Sequence, residues 1–193
     1  YDGKTYGGYA GAVFNSSVTT TGNRVLFHDN SSSLHGGAIY NVGTDSIFNI
    51  GSNNLFYENH SSSGGAISAN SGRINISNNV VFATNTATKA GGAMYVAESA
   101  VIVSSSSNGY IYNTAENGGA IYNEGRVILG TLDGTEASAF IGNKSAVGGA
   151  ITNKGVIGFN DPILFSQNNA ELIGGAIVND NVNDNAYIVF NNV

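Results

Sequence analysis

The sequence predicts an all-β solenoid: a right-handed, single-stranded parallel β-helix of about seven coils, each of about 27 residues and three short strands. Three observations predict it. The phrase Gly36-Gly37-Ala38-Ile39 returns at residues 64–67, 118–121, 148–151 and 174–177. A Met94 variant stands at 91–94, and a degenerate first copy is Ala10-Gly11-Ala12-Val13. A second phrase, aromatic-x-x-Asn, precedes six of these copies, from Phe27-His28-Asp29-Asn30 to Phe165-Ser166-Gln167-Asn168. The third observation is that no stretch sustains a 3.6-residue apolar period, so strands and turns carry the pattern. Self-similarity at this spacing marks a solenoid, in which each unit buries its apolar face only against its neighbours.

Each part of the unit has a physical reading. Parallel crossovers are overwhelmingly right-handed, and equivalent strands stack about 4.8 Å apart, so seven coils span about 34 Å. Alternation along a strand turns Val13, Ile39, Ile67, Met94, Ile121, Ile151 and Ile177 inward. The next column, Phe14, Tyr40, Ser68, Tyr95, Tyr122, Thr152 and Val178, is mixed and is expected to face outward. The aromatic residues Phe27, Phe56, Phe82, Tyr110, Phe140 and Phe165 form a predicted interior stack. The column before it, Leu26, Leu55, Val81, Gly109, Ala139 and Leu164, then turns outward as an apolar stripe. Asn30, Asn59, Asn85, Asn113, Asn143 and Asn168 close that strand and can bond to one another as a ladder. The glycine pair permits a sharp corner. A third apolar run completes the coil, as in Ile74-Asn75-Ile76 and Val101-Ile102-Val103. The longest inter-phrase segment, including residues 132–138, is expected to be a surface loop.

Composition narrows the function. Apolar residues make up 41% of the 193, enough for a core, whereas only 10% are charged. The seven Lys and Arg are scattered and the net charge is -6, which disfavours nucleic acid and anionic membrane surfaces. No apolar run is long enough for a membrane-spanning helix. The chain opens and closes in mid-repeat, so residues 1–193 are expected to be one β-helix domain cut from a longer protein.

Together the two phrases resemble the repeats of the chlamydial polymorphic membrane proteins and related autotransporter passengers. That family alternates Gly-Gly-Ala-(Ile/Leu/Val) with Phe-x-x-Asn, and the alternation here covers nearly the whole chain. The resemblance implies a passenger displayed on the bacterial surface or secreted. Its membrane attachment would come through a C-terminal barrel outside this chain. It implies adhesion to a host-cell protein or glycan, and self-association as a second expectation. One departure is the absence of cysteine, which family members in Chlamydia usually carry.

If the chain binds a partner, outward side chains are the candidates. Phe14, Tyr40, Tyr95 and Tyr122 offer rigid aromatic area with a polar tip. Leu26, Leu55, Val81 and Leu164 offer an exposed apolar stripe. Each set has a plain alternative: the tyrosines decorate a sheet face, and the stripe is either turned inward with its neighbours by a bulge or covered by adjacent loops. Catalytic, cofactor and metal residues are not expected. The acids are dispersed rather than paired as a glycan-cleaving site requires. Asp180 and Asp184 lie in an Asn-rich turn whose spacing departs from a calcium loop at Val182. His28, His35 and His60 occupy different columns. A polysaccharide-active enzyme and a purely structural spacer are the rival readings.

Overall fold

A computed structural model describes residues 4–5, 8–131, 136–181 and 186–191. The chain winds as a parallel β-solenoid without a helix among these residues. The glycine phrases supply a seven-stranded sheet from Val13–Asn15 to Ile177–Asn179, so six turns link its first strand to its last. The third runs supply a seven-stranded sheet from Val18–Thr20 to Tyr187–Phe190. The aromatic phrases supply a six-stranded sheet from Leu26–His28 to Ile163–Ser166. Every repeat position pairs with its counterpart one coil on, as Ile39 with Ile67 and Phe56 with Phe82.

A fourth short strand joins the three expected per coil. It follows the Asn of the aromatic phrase, at Ser31–Ser32, His60–Ser63, Thr86–Ala90, Lys144–Val147 and Asn169–Ile173. Isolated bridges through Thr114 and Asn117 carry the pairing past the coil between. These segments are rich in Ser, Thr and Asn and lack apolar alternation, so only stacking on the neighbouring coil makes them strands.

The interior is built of columns. Phe27, Phe56, Phe82, Tyr110, Phe140 and Phe165 stack face to face with centroids 4.4 to 5.3 Å apart. Opposite them lie Ile39, Ile67, Met94, Ile121 and Ile151, all without exposed surface. The third-run sheet contributes Phe48, Ile74, Ile102, Val127 and Ile157. Each such side chain stabilises the fold by about 1.5–3 kcal/mol. Tyr110 is the one tyrosine in its stack, and its buried hydroxyl sits 3.2 Å from Ser104 Oγ. Ser104 in turn takes the register position held by Ile76 and Leu129 in adjoining coils. The two exceptions answer each other, because a buried hydroxyl without a partner is costly. Burial raises the Tyr110 phenol to about 12.

The two glycines of each pair do separate jobs. The first has a left-handed backbone, with φ near +61° at Gly36 and +65° at Gly91, where a side chain would strike the carbonyl three residues on. The second lies outside the left-handed region, but a Cβ at Gly65 would collide with the carbonyl oxygen of Gly92 in the next coil. The same collision recurs at Gly37, Gly92, Gly119 and Gly149. The alanine that follows is fully buried in every interior coil, at Ala38, Ala66, Ala93, Ala120 and Ala150.

The asparagine ladder forms as expected and is more complete than the spacing suggests. Asn113 Nδ2 donates to Asn143 Oδ1 at 3.0 Å and to the carbonyl of Phe82 at 2.9 Å. Its backbone N–H donates to the same Asn143 oxygen. Its own Oδ1 accepts from the N–H and the amide of Asn85. This scheme repeats from Asn30 to Asn168. A second ladder ends the glycine strands, joining Asn15 to Asn41, and Asn123 to Asn153 and Asn179. Ala69 and Val96 occupy its intervening positions, and the buried Asn123 Oδ1 is left without a partner.

The residue before each ladder Asn is left-handed: Asp29, Glu58, Thr84, Tyr112 and Gln167 have φ of 53–56°, and Gly142 takes the sixth place. Outside glycine this conformation costs about 1–2 kcal/mol, and a β-branched residue suffers most.

Three substitutions at these positions test the account. Asn113→Ala strands buried donors of Asn85 and an acceptor of Phe82, so urea unfolding is expected to show a loss of about 3 kcal/mol or more. Asn123→Ala costs clearly less, since one of its acceptor sites is already unmet; equal losses would disprove the ladder account. Thr84→Gly, which copies Gly142 into the equivalent position two coils earlier, is expected to raise stability by about 1 kcal/mol.

Candidate functional site

The outward tyrosine column is largely covered, contrary to the expectation that it faces solvent. Tyr40 is buried, and Ser68 and Thr152 in the same column are more so. Tyr95 and Tyr122 are half-buried, and only Phe14 is open, at 56% exposure. Alternation is obeyed, since the column does point away from the core. However, the chain leading into the glycine corner folds back over it. His35, one residue before Gly36, lies 5.8 Å from the Tyr40 ring and 6.1 Å from that of Tyr95. Tyr9 stacks on Tyr40 at 4.9 Å and on His35 at 5.7 Å. At Thr152 the hydroxyl donates to the carbonyl of Val147 in the same crevice.

Farther along, a polar chain occupies the tyrosine tips. Tyr95 donates to Glu124 at 2.7 Å, and Tyr122 reaches the other oxygen of Glu124 at 3.3 Å. Lys154 lies 5.8 Å above the Tyr122 ring and 3.4 Å from Asp180. Glu124, Lys154 and Asp180 occupy one position in three successive coils, each directly after the last residue of its glycine strand. Burial, then Glu124, raises the phenols of Tyr95 and Tyr122. Partial burial pulls Lys154 down, but Tyr122 and Asp180 outweigh it and its pKa is raised. Sequence reasoning missed this chain because Glu124, Lys154 and Asp180 are 26 to 30 residues apart. Repeat alignment alone could have found it, as an acid-base-acid column.

The apolar stripe does lie on the outer face of the aromatic sheet. Leu26 and Leu164 are about half exposed, at 50% and 49%. Leu55 and Val81 between them are partly exposed, as are Gly109 and Ala139. Interior Phe and exterior Leu alternate strictly, with no bulge turning both inward. The second outward position of these strands adds Ile111 and Ile141, and Tyr112 stands exposed beyond. The result is a largely apolar face held in register over six strands, with His28 and Ser166 at its two ends.

The remaining candidate groups stand apart. His28 stacks on Tyr57 and lies 3.4 Å from Glu58, while His60 is exposed and belongs to the short-strand sheet. Asp180 pairs with Lys154, and Asp184 falls outside the described residues, as do residues 132–135 of the expected loop. Glu136 and Ala137 of that loop are exposed. Among the described residues no three His, Asp or Glu converge as metal ligands.

Columns of similar side chains, ladders of Asn and glycine-spaced coils define a repeat protein of the parallel β-solenoid class. Residues 24–42, which contain the Phe27-x-x-Asn30 phrase and the first complete glycine phrase, match the family model of the Chlamydia polymorphic membrane protein (Chlamydia_PMP) repeat. The match is to a single repeat unit, residues 24–42. No curated protein and no solved structure matches it.

His35 makes the covered column pH-sensitive. Burial, then Lys89, lowers its pKa below 6.5, so the folded chain binds fewer protons there than the unfolded chain. Its contribution to stability is whole above about 6.5 and is lost as pH falls through that value toward the lower folded pKa. Melting scans between about pH 7 and 5 are expected to show a smaller acid loss for His35→Gln than for the parent; parallel curves would count against this.

Proposed function

We propose that the chain is a passenger segment of a bacterial surface autotransporter and acts as an adhesin by presentation. A stiff solenoid holds outward side chains in register for a host-cell protein or glycan. Attachment to the outer membrane belongs to a barrel elsewhere in the protein. Two facts support the reading: the chain carries a polymorphic membrane protein repeat, and one of its sheets keeps an apolar column toward solvent. The second fact carries it. Leu26, Leu55, Val81 and Leu164 could have been polar without disturbing the core, since their neighbours Phe27, Phe56, Phe82 and Phe165 fill it. A contiguous exposed apolar patch marks an interaction surface. The tyrosines contribute less, because Tyr40, Tyr95 and Tyr122 spend their rings and hydroxyls on one another, His35 and Glu124.

Binding of the purified chain to host cells tests this. A Leu55→Ser, Val81→Ser double variant with unchanged circular dichroism is expected to bind about tenfold more weakly or worse. Full adhesion by that variant would move the contact to another face. No adhesion by the parent chain would favour a spacer. Loss of self-association in place of adhesion would assign the face to a second copy.

A further inference from the structure

The third-run sheet carries a gap in its outer face at Gly158. Its strand, Val156–Phe159, pairs with Arg126–Leu129 on one side and Tyr187–Phe190 on the other. Gly158 is outward and central, with Ile128 and Val189 at its own position in the adjoining coils. Val156 and Asn160 flank it along the strand. Glycine weakens a strand interior, and one there often marks close approach by a ligand. Neither backbone nor packing demands it here. Its φ lies outside the left-handed region, and an added Cβ would meet only Asn160 Oδ1, at 3.9 Å. Gly109, the outward glycine of the aromatic sheet, differs, because Ile111 and Val81 already lie within 3.4 to 3.7 Å of its Cβ position.

The gap is a notch of about 310 Å³. Its walls are apolar, from Ile128, Val156 and Val189, and its rim is polar at both ends. One end has Asn160 and Asn191, whose amides bond to each other at 2.9 Å. The other has Arg126, which is exposed and has no ion pair among the described residues. Glu98 and Glu124 lie in the adjoining cleft beyond Val156.

We propose that this notch binds a single carboxylated pyranose, the terminal or internal acidic sugar of a glycan. The apolar walls suit the C–H face of the ring, the amides suit ring hydroxyls, and the guanidinium grips a carboxylate bidentately. A peptide fits worse. Both neighbours of Val156–Phe159 are paired, so no strand edge is open for β-addition. The biological meaning rests on the adhesive reading, as the glycan arm of the proposed partner, but the binding itself does not.

The test is an NMR titration of the whole chain with glucuronic acid and with N-acetylneuraminic acid, glucose serving as the neutral control. The acids are expected to bind in about the millimolar range, shifting resonances around Gly158. Gly158→Val fills the notch at an open position, should melt no lower than the parent, and is expected to weaken binding at least about tenfold. Arg126→Gln should reduce the acids to the affinity of glucose, a drop of about tenfold. No saturable shift with either acid overturns the proposal, as does Gly158→Val binding like the parent. Cell adhesion measured on Gly158→Val separates the two readings. Sugar binding lost with adhesion kept leaves both standing on different faces, whereas sugar binding by a parent chain that ignores cells sinks only the adhesive one.

Discussion

Everything in this solenoid depends on how closely one coil lies on the next. At the second glycine of each pair the chain passes so near the carbonyl of the following coil that no Cβ fits between them. This contact recurs at Gly37, Gly65, Gly92, Gly119 and Gly149, and it sets the rise and the phase of the winding. Once phase is fixed, every other position must meet its own counterpart. Strand pairs, ring stacks and amide ladders then form together. The repeated phrase is conspicuous because both of its glycines stand where the backbone leaves no room for a side chain.

Inside that frame, burial of polar groups is made tolerable by repetition. An Asn side chain has two donors and an oxygen able to accept twice. In the main ladder Asn113 uses all of these, on Asn143, Phe82 and Asn85. A single buried Asn would be costly, whereas a column of them satisfies itself and polarises in one direction. The glycine-strand ladder shows the reverse case. Val96 interrupts it, and Asn123 is left with an orphaned oxygen. The solenoid thus tolerates local faults, because each coil touches only its neighbours.

The same stacking decides which surfaces are free to act. Three sheets turn one set of side chains inward and another outward, but outward does not mean exposed. The glycine-sheet exterior lies under the chain entering the corner, whereas the aromatic-sheet and third-run exteriors have no such cover among the described residues. The proposed adhesive contact on the aromatic sheet and the proposed sugar notch at Gly158 therefore lie on different faces of the solenoid.

Much of this was legible in the sequence. The repeat gave the solenoid, the inward columns of Ile39 and Phe56, the Asn30–Asn168 ladder and the outward Leu26–Leu164 stripe, because a two-residue alternation and a fixed period determine direction and neighbours. The fourth strand was hidden, since Thr86–Ala90 and its equivalents take strand form from stacking rather than from apolar pattern. So were the two distinct duties of the glycine pair. The burial of Tyr40, the Tyr95–Glu124–Tyr122–Lys154 chain and the open notch at Gly158 needed the tertiary structure. Alternation tells which way a side chain points. Only the path of the neighbouring chain decides whether something already lies there.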